Sequence, residues 1–438
     1  MKLIIASLLA ISTSAFAIDN VALEKAVAKD YKAHLKSLFI HFHQNPELSM
    51  AEFKTSKRLA TEIRAAGFEV HEGIGKTGIV AIMKNGDGPT VMMRADMDGL
   101  PVKEDSGLSY QSKVTQVDPI SGQEMPVMHA CGHDVHITSL VGTARYMAAN
   151  KDKWQGTLML IGQPAEERIM GARKMMEEGI WDKYGKPDYA FAFHVSAGLE
   201  TGVIDVQEGA AYAGSNSVDI IVHGVGAHGA YPHAGKDPIY IGSQIVIALQ
   251  GLISRELPPK DAGVITVGAF NSGFKHNIIS DKAHLQLTVR NASIETRDLL
   301  LNGVKRIATN IGRANGLPED KLPEVIISKE EATPPTLNDT LLTKRMKATW
   351  KAALGKDKVV DLPNKGMGAE DFSYFIMDPY IPSVYWAIGG TPKAELEAAN
   401  GGGSSIASHH SPFFKVSADS VPFGVQTTVL ALMELMGK

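Results

Sequence analysis

The sequence predicts an α/β protein whose chemistry lies along one edge of a sheet, interrupted by a compact α+β insert of ferredoxin-like type. Three observations predict this. The apolar runs "TVMMRADMDG", "GTLMLIGQPAEE" and "YAFAFHV" end in polar or acidic residues and alternate with helical patterns, as strands and crossovers do in an α/β sheet. From Ser215 the character changes: "SVDIIVHG" and "AHLQLTVRN" alternate polar and apolar residues with period two, the mark of half-exposed strands. Two long helical segments, "PIYIGSQIVIALQGLISRE" and "TRDLLLNGVKRIATNIGRANG", complete a β-α-β-β-α-β order over 215–332.

Taken in order, the chain starts with "MKLIIASLLAISTSAFA": one lysine, a short apolar run and a small-residue A-x-A ending, the layout of a secretory signal peptide over 1–17. The run is shorter than the about 20 residues a membrane-spanning helix needs. Cleavage after Ala17 leaves 438 − 17 = 421 residues, periplasmic or secreted and without a membrane anchor. Asp19 to Ala66 reads as helical, with Phe53, Leu59, Ile63 and Ala66 near one face and Gly67 as the stop. "GIVAIM" and "TVMMRADMDG" follow as strands, and "ITSLVGTARYMAAN" as a helix. The paired prolines Pro334 and Pro335 mark the return from the insert. Residues 18–214 and 333–438 then form one domain and 215–332 the other. "NGGGSSIASHHSP" reads as a loop, since apolar structure follows it.

Hydrophobic residues at 44% and charged ones at 21% describe an ordinary globular protein, and a net charge of −4 gives no reason to expect nucleic acid or an acidic membrane as partner. Cys131 is the single cysteine, so in an exported chain it cannot form an internal staple. It is buried and inert, bonded to another chain, or held by a metal. It lies in "MHACGHDVH", two residues before His133, and thiolate and imidazole are both good ligands for first-row divalent metals. Further donors occur at strand ends and in the late loop: Glu166 and Glu167, His194, His409 and His410. Singly each is a weak signal, since lone histidines and Glu-Glu pairs are usually structural. Several of them along the active edge of one sheet favour a metal site.

"RADMDGLP", "MHACGHDVH", "QPAEE", "FHV", "GAHGAYPHAGKDPI", "GAEDFS" and "HHSPFF", in that order, closely resemble the aminoacylase-like metallopeptidase and amidohydrolase family. The nearest branch contains hippurate hydrolases, N-acyl-amino-acid amidohydrolases and auxin-conjugate hydrolases, and the resemblance runs from about Phe39 to Met436. It implies a mixed-sheet catalytic domain of zinc-exopeptidase type with the insert as lid and dimerisation domain. It also implies two divalent ions, manganese or zinc, with cobalt and nickel as alternatives. Cys131 would be shared by both ions, with His133, Glu167, His194 and His410 as the other ligands. Asp98 would orient a ligand, whereas Asp96 stands where other branches carry a metal-binding histidine and is not assigned as one.

The same resemblance makes Glu166 the general base and acid for attack of a water on an amide carbonyl. His228, on the insert, would donate to the developing oxyanion, reaching across to the partner's site in a homodimer. Asn277 and Arg290 would hold the free carboxylate of a small N-acyl amino acid or dipeptide. Gly366, Met367 and Gly368 read as a flexible stretch beside the site, and Glu370 and Asp371 as helix caps. The chain departs from the branch at Gly99, at "FHVSAG" and at Arg168, which either favours acidic substrates or pairs with a neighbour. A dipeptidase or carboxypeptidase of the same family, a non-catalytic binding protein and a cysteine peptidase are the rival readings.

Overall fold

The computed structural model describes residues 19–363 and 366–438; the signal-peptide expectation for 1–17 lies outside them. The larger sheet has eight strands in the spatial order Glu69–Ile74, Gly78–Asn85, Gly156–Gln163, Thr90–Asp96, Tyr189–Glu200, Ser383–Thr391, Ile204–Asp205 and Val359–Val360. Four central strands, from Gly156–Gln163 to Ser383–Thr391, run parallel, and antiparallel pairing extends the sheet on either side. Parallel strands covered on both faces must be apolar throughout. In Thr90–Asp96 every residue after Thr90 is buried, including Arg94.

Helices His133–Ala149 and Ser420–Met436 pack on one face over a core containing Trp154, Trp350 and Trp386. They approach closely because Gly142 faces Val425 and Leu35, where an added Cβ would come within 2.5 Å and 2.8 Å of their side chains. The opposite face is covered by Gly171–Glu177, Ile180–Tyr184 and Ser373–Ile376 around Met175, Trp181 and Phe375.

The smaller sheet is antiparallel, in the order Gly263–Ser272, Lys282–Asn291, Gly214–His223 and Glu324–Thr333. Helices Pro238–Gly251 and Ile294–Ala314 share its apolar core, so the chain order is β-α-β-β-α-β. Both helices begin on side-chain caps, Asp237 accepting from Ile239 N and Tyr240 N, and Ser293 from Thr296 N. Each such cap contributes roughly 1 kcal/mol. Among the described residues no helix is long and apolar enough to cross a membrane.

Three local expectations change. The helical stretch after Asp19 divides into Asn20–Asp30, a π turn at Tyr31–Leu35, Lys36–Gln44 and Phe53–Ala65, because "NPELSMAE" crosses beneath the site between the last two. Leu59 and Ile63 are buried, but Phe53, in the first helical turn, faces solvent with Lys76 Nζ 5.7 Å from its ring. The "YAFAFHV" strand continues to Glu200 because Ser383–Thr391 pairs along it.

Candidate metal centre

Backbone turns deliver most of the candidate ligands, while His194 projects from within strand Tyr189–Glu200. After Gln163 the chain turns at Ala165, whose φ is +47°, into a single 3₁₀ turn Glu166–Arg168, which lets the two neighbouring glutamates share one site. Cys131 and His133 flank Gly132, at φ +85°, where a Cβ would lie 2.4 Å from Val195 Cγ1. Only glycine fits that approach. His410 also has positive φ, +65°, in the loop after the glycine run.

These turns bring the five expected ligands together. Cys131 Sγ is 3.4 Å from His194 Nε2, His133 Nε2 is 3.8 Å from Glu167 Oε1, and His410 Nε2 is 3.3 Å from Glu167 Oε2. Cys131 belongs to two overlapping donor groups, with His133 and His194 on one side and Glu167 and His410 on the other. The backbone fixes the imidazoles. His133 Nδ1 donates to Asp98 O at 2.9 Å and His194 Nδ1 to Val195 O at 2.7 Å, so each keeps its Nε2 lone pair for the centre. His133 Nε2 and Glu167 Oε1 are buried without any hydrogen-bond partner. Buried polar atoms rarely go unpaired, and a thiolate, imidazoles and carboxylates are the donor set of a transition-metal site. The residues fit two divalent cations.

Asp98 holds this arrangement in place. Its Oδ2 accepts from Ser49 Oγ at 2.6 Å and from Glu167 N at 3.1 Å, while Oδ1 lies 3.2 Å from His133 Nδ1. Asp96 and His136 also cluster with His133, but both are committed elsewhere. Val195 N donates to His136 Nε2 at 2.9 Å, so His136 carries its proton on Nδ1 and gives it to Asp96 Oδ1 at 2.5 Å. The other Asp96 oxygen is 2.6 Å from Arg94.

The site is strongly acidic. Burial, then the charges of Glu370 and Glu167, push Glu166 well above the ordinary carboxylate range, and burial raises Glu167 to about 7. Burial alone would lower His133, but Asp96, Asp98 and Glu167 raise it to about 10. A proton and a cation compete for the same Nε2 lone pair, so metal uptake there releases protons. Burial and the Glu167, Glu166 and Asp96 carboxylates push the Cys131 thiol up. A nucleophilic cysteine needs an electropositive setting, so these surroundings count against the cysteine-peptidase reading.

Several residues beneath the centre escaped the sequence reading. Arg94 is fully buried and donates to Asp96 Oδ2 at 2.6 Å, Glu370 Oε1 at 2.6 Å and Gln163 Oε1 at 2.7 Å. Glu370 also accepts from Tyr385 Oη at 2.8 Å, and Asp371 accepts from Gln163 Nε2 at 2.6 Å and Ala172 N at 2.9 Å. The capping role expected for Glu370 and Asp371 is therefore corrected: both oxygens of each bind buried donors, and helix Ser373–Ile376 has no side-chain cap. An arginine inside an apolar strand was the available signal, since a buried charge requires partners. Arg168 pairs with Asp118 at 2.8 Å, as the neighbour-pairing alternative expects.

Above the centre is a cavity of about 720 Å³. Cys131, Glu166 and His194 line its floor, with Tyr212, Gly368 and Arg290 around it. Gly368 is tied down through its carbonyl, which accepts from Ala213 N at 2.8 Å. Arg290 is half-buried, bonds Thr288 Oγ1 at 3.1 Å and has no acidic partner among the described residues. His228 and Asn277 stand outside the cavity, exposed on a separate two-stranded ladder of the insert. There His228 Nδ1 accepts from Ala230 N at 3.0 Å, leaving Nε2–H outward.

Residues 92–434 match the model of peptidase family M20/M25/M40. The chain belongs to this family. Among its M20/M25/M40 relatives is the hippurate hydrolase of Campylobacter jejuni, 36% identical over 347 residues, covering 79% of this chain and 86% of that one. Thermostable carboxypeptidase 2 of Saccharolobus solfataricus is 35% identical over 400 residues, covering 90% and 94%. The solved Bacillus subtilis YXEP protein, described as a dinuclear metal binding peptidase, is similar at a TM-score of 0.75 and 28% identity, covering 93% and 99%. The chain is accordingly a metal-dependent hydrolase of the M20/M25/M40 family, with a centre suited to two metal ions.

Proposed function

We propose that the protein hydrolyses the amide bond of N-acyl amino acids carrying a free carboxylate. The observation that carries this is the joint presence, in one cavity, of the buried donor cluster, Glu166 on the floor and the Arg290 guanidinium, which has no acidic partner among the described residues. Relatives named hippurate hydrolase, IAA-amino acid hydrolase and N-acetyl-L-cysteine deacetylase support the substrate class. Cys131, His133, His194, Glu167 and His410 would hold the cations, which when bound polarise a carbonyl and acidify water.

Arg290 offers paired donors to the substrate carboxylate and so sets the amide's distance from the floor. Glu166 takes a proton from the attacking water and returns it to the nitrogen as the C–N bond breaks. We further propose export, from the 1–17 pattern, and a homodimer formed through the insert, where Phe274 is 87% and Ile247 73% exposed. In that dimer the outward Nε2–H of His228 serves the partner's cavity.

A carboxypeptidase reading is favoured by the Saccharolobus relatives and uses the same Arg290. A panel of N-acetyl, N-benzoyl and indole-acetyl amino acids and dipeptides, each with manganese, zinc, cobalt or nickel, separates the two. N-acyl amino acids should turn over faster than dipeptides. Faster dipeptide turnover makes it a peptidase, and no turnover with any metal overturns both.

A further inference from the structure

His409 stands against the ligands, yet both its nitrogens are committed. Ala197 N lies 3.3 Å from its Nε2, and a backbone N–H can only donate, so Nε2 is bare. An imidazole with one bare nitrogen carries its proton on the other. The N–H is therefore on Nδ1, which is 3.6 Å from Cys131 Sγ. Two flanking rings fix the imidazole, His194 at 5.3 Å and 71°, and Phe414 at 4.7 Å and 40°.

The contrast with the ligands is a matter of backbone polarity. Carbonyls of Asp98 and Val195 take the Nδ1 protons of His133 and His194 and turn their Nε2 lone pairs inward. At His409 an amide N–H does the reverse and turns a proton inward.

We propose that His409 is a positioning residue for the metal centre, donating an Nδ1–H hydrogen bond to the Cys131 sulfur and thereby fixing which sulfur lone pairs face the cations. It is not itself a ligand, although it adjoins His410, which is. The inference rests on the reading of Cys131 as a ligand, and it adds a third claim on that sulfur. A donated hydrogen bond draws charge from a thiolate, holds its rotamer and conserves metal affinity.

The test uses cobalt-loaded full-length protein, read by the sulfur-to-cobalt charge-transfer band and by competition with a chelator. His409→Leu should move the band to longer wavelength and weaken cobalt binding roughly tenfold, within the range for a lost partner of a ligand. It should keep the wild-type cobalt stoichiometry. His409→Asn, whose amide N–H can stand near Nδ1, should hold the band at the wild-type position. If His409→Leu does not fold by circular dichroism, His409→Met supplies the donor-free arm. An unmoved band in the donor-free variant, or an equal shift in His409→Asn, overturns the proposal. Loss of one cobalt equivalent would make His409 a ligand and also overturns it. Wild-type protein that binds no cobalt would instead overturn the metal reading on which this rests.

Discussion

Replacing Arg94 by Met keeps most of the side chain's volume and removes a charge that is wholly buried. Three short charge-assisted bonds disappear, to Asp96 at 2.6 Å, Glu370 at 2.6 Å and Gln163 at 2.7 Å. The carboxylates are not left bare: Asp96 keeps His136 Nδ1 at 2.5 Å, and Glu370 keeps Tyr385 Oη at 2.8 Å and Phe372 N at 2.9 Å. Neutral donors compensate a buried charge only in part, so the expected loss is about 3–5 kcal/mol. That is a large share of a typical total of about 5–15 kcal/mol.

All four tryptophans, Trp154, Trp181, Trp350 and Trp386, belong to the catalytic domain, so their fluorescence in urea follows that domain and not the insert. Metal-free wild type and variant should be compared across pH. Burial tends to raise the Asp96 pKa, but Arg94 and then His133 hold it well below 3.8 in the folded protein. A depressed carboxylate pKa contributes stability that is fully present above the unfolded value and is lost as pH falls through the folded value. The gap between wild type and Arg94→Met should therefore be widest near neutrality, start to narrow below about pH 4 and shrink further as pH falls toward the depressed folded value. A difference under about 1 kcal/mol at pH 7, or one that widens toward acid, refutes the role given to Arg94.

Glu166→Ala should retain both metal ions by elemental analysis while hydrolysis falls by about 10²–10⁴-fold, the usual contribution of a general base; activity equal to wild type would sink the mechanism. Gly132→Ala puts a Cβ 2.4 Å from Val195 Cγ1 at φ +85°, and a loss of about 1–3 kcal/mol is expected in urea titration, with weaker metal binding in a chelator competition. His43 lies buried between Asp134 at 2.7 Å and Glu104 at 3.0 Å; burial lowers its pKa, but these two acceptors raise it to about 9. A raised pKa contributes below the unfolded value of 6.5 and is lost as pH climbs through the folded value, so about 3 kcal/mol should fade between pH 6.5 and 9. His43→Leu should lack that slope over the same window, and an identical pH profile in the two proteins would show the pair to be unimportant.

The outlines of both sheets were legible because local patterns carry them. Period-two strands gave the insert, and apolar runs ending in acids gave the central strands of the larger sheet. The candidate ligands could be picked out because they stand in motifs whose order resembles a family, and the structure gathers them into one cluster. What sits below them was not legible. Arg94 and Glu370 are separated by 276 positions, and nothing local to "GAEDFS" distinguishes a capping glutamate from one reaching into a buried arginine. His409 and His410 are neighbours of one residue type, and the backbone contact from Ala197 N to His409 Nε2 is one that no spacing encodes. Phe53 fits the apolar face of its helix in sequence, yet it stands at the end that projects beyond the core. His228 and Asn277 stand exposed on the insert, away from the cavity, and their proposed roles rest on the proposed homodimer.

The division of the ligand set also gives the centre a timetable. Cys131, His133, Glu167 and His194 are made early, but His410 follows His194 by 410 − 194 = 216 residues, after the whole insert. A chain growing from its amino end would thus hold the earlier candidate ligands through 216 residues before His410 is added. The loop bearing His410 is anchored by His410 N, which donates to Ala130 O at 2.9 Å beside the cysteine. Closing that contact is a late event in the life of the chain. A product truncated before residue 410 would lack this contact and the last of the candidate ligands.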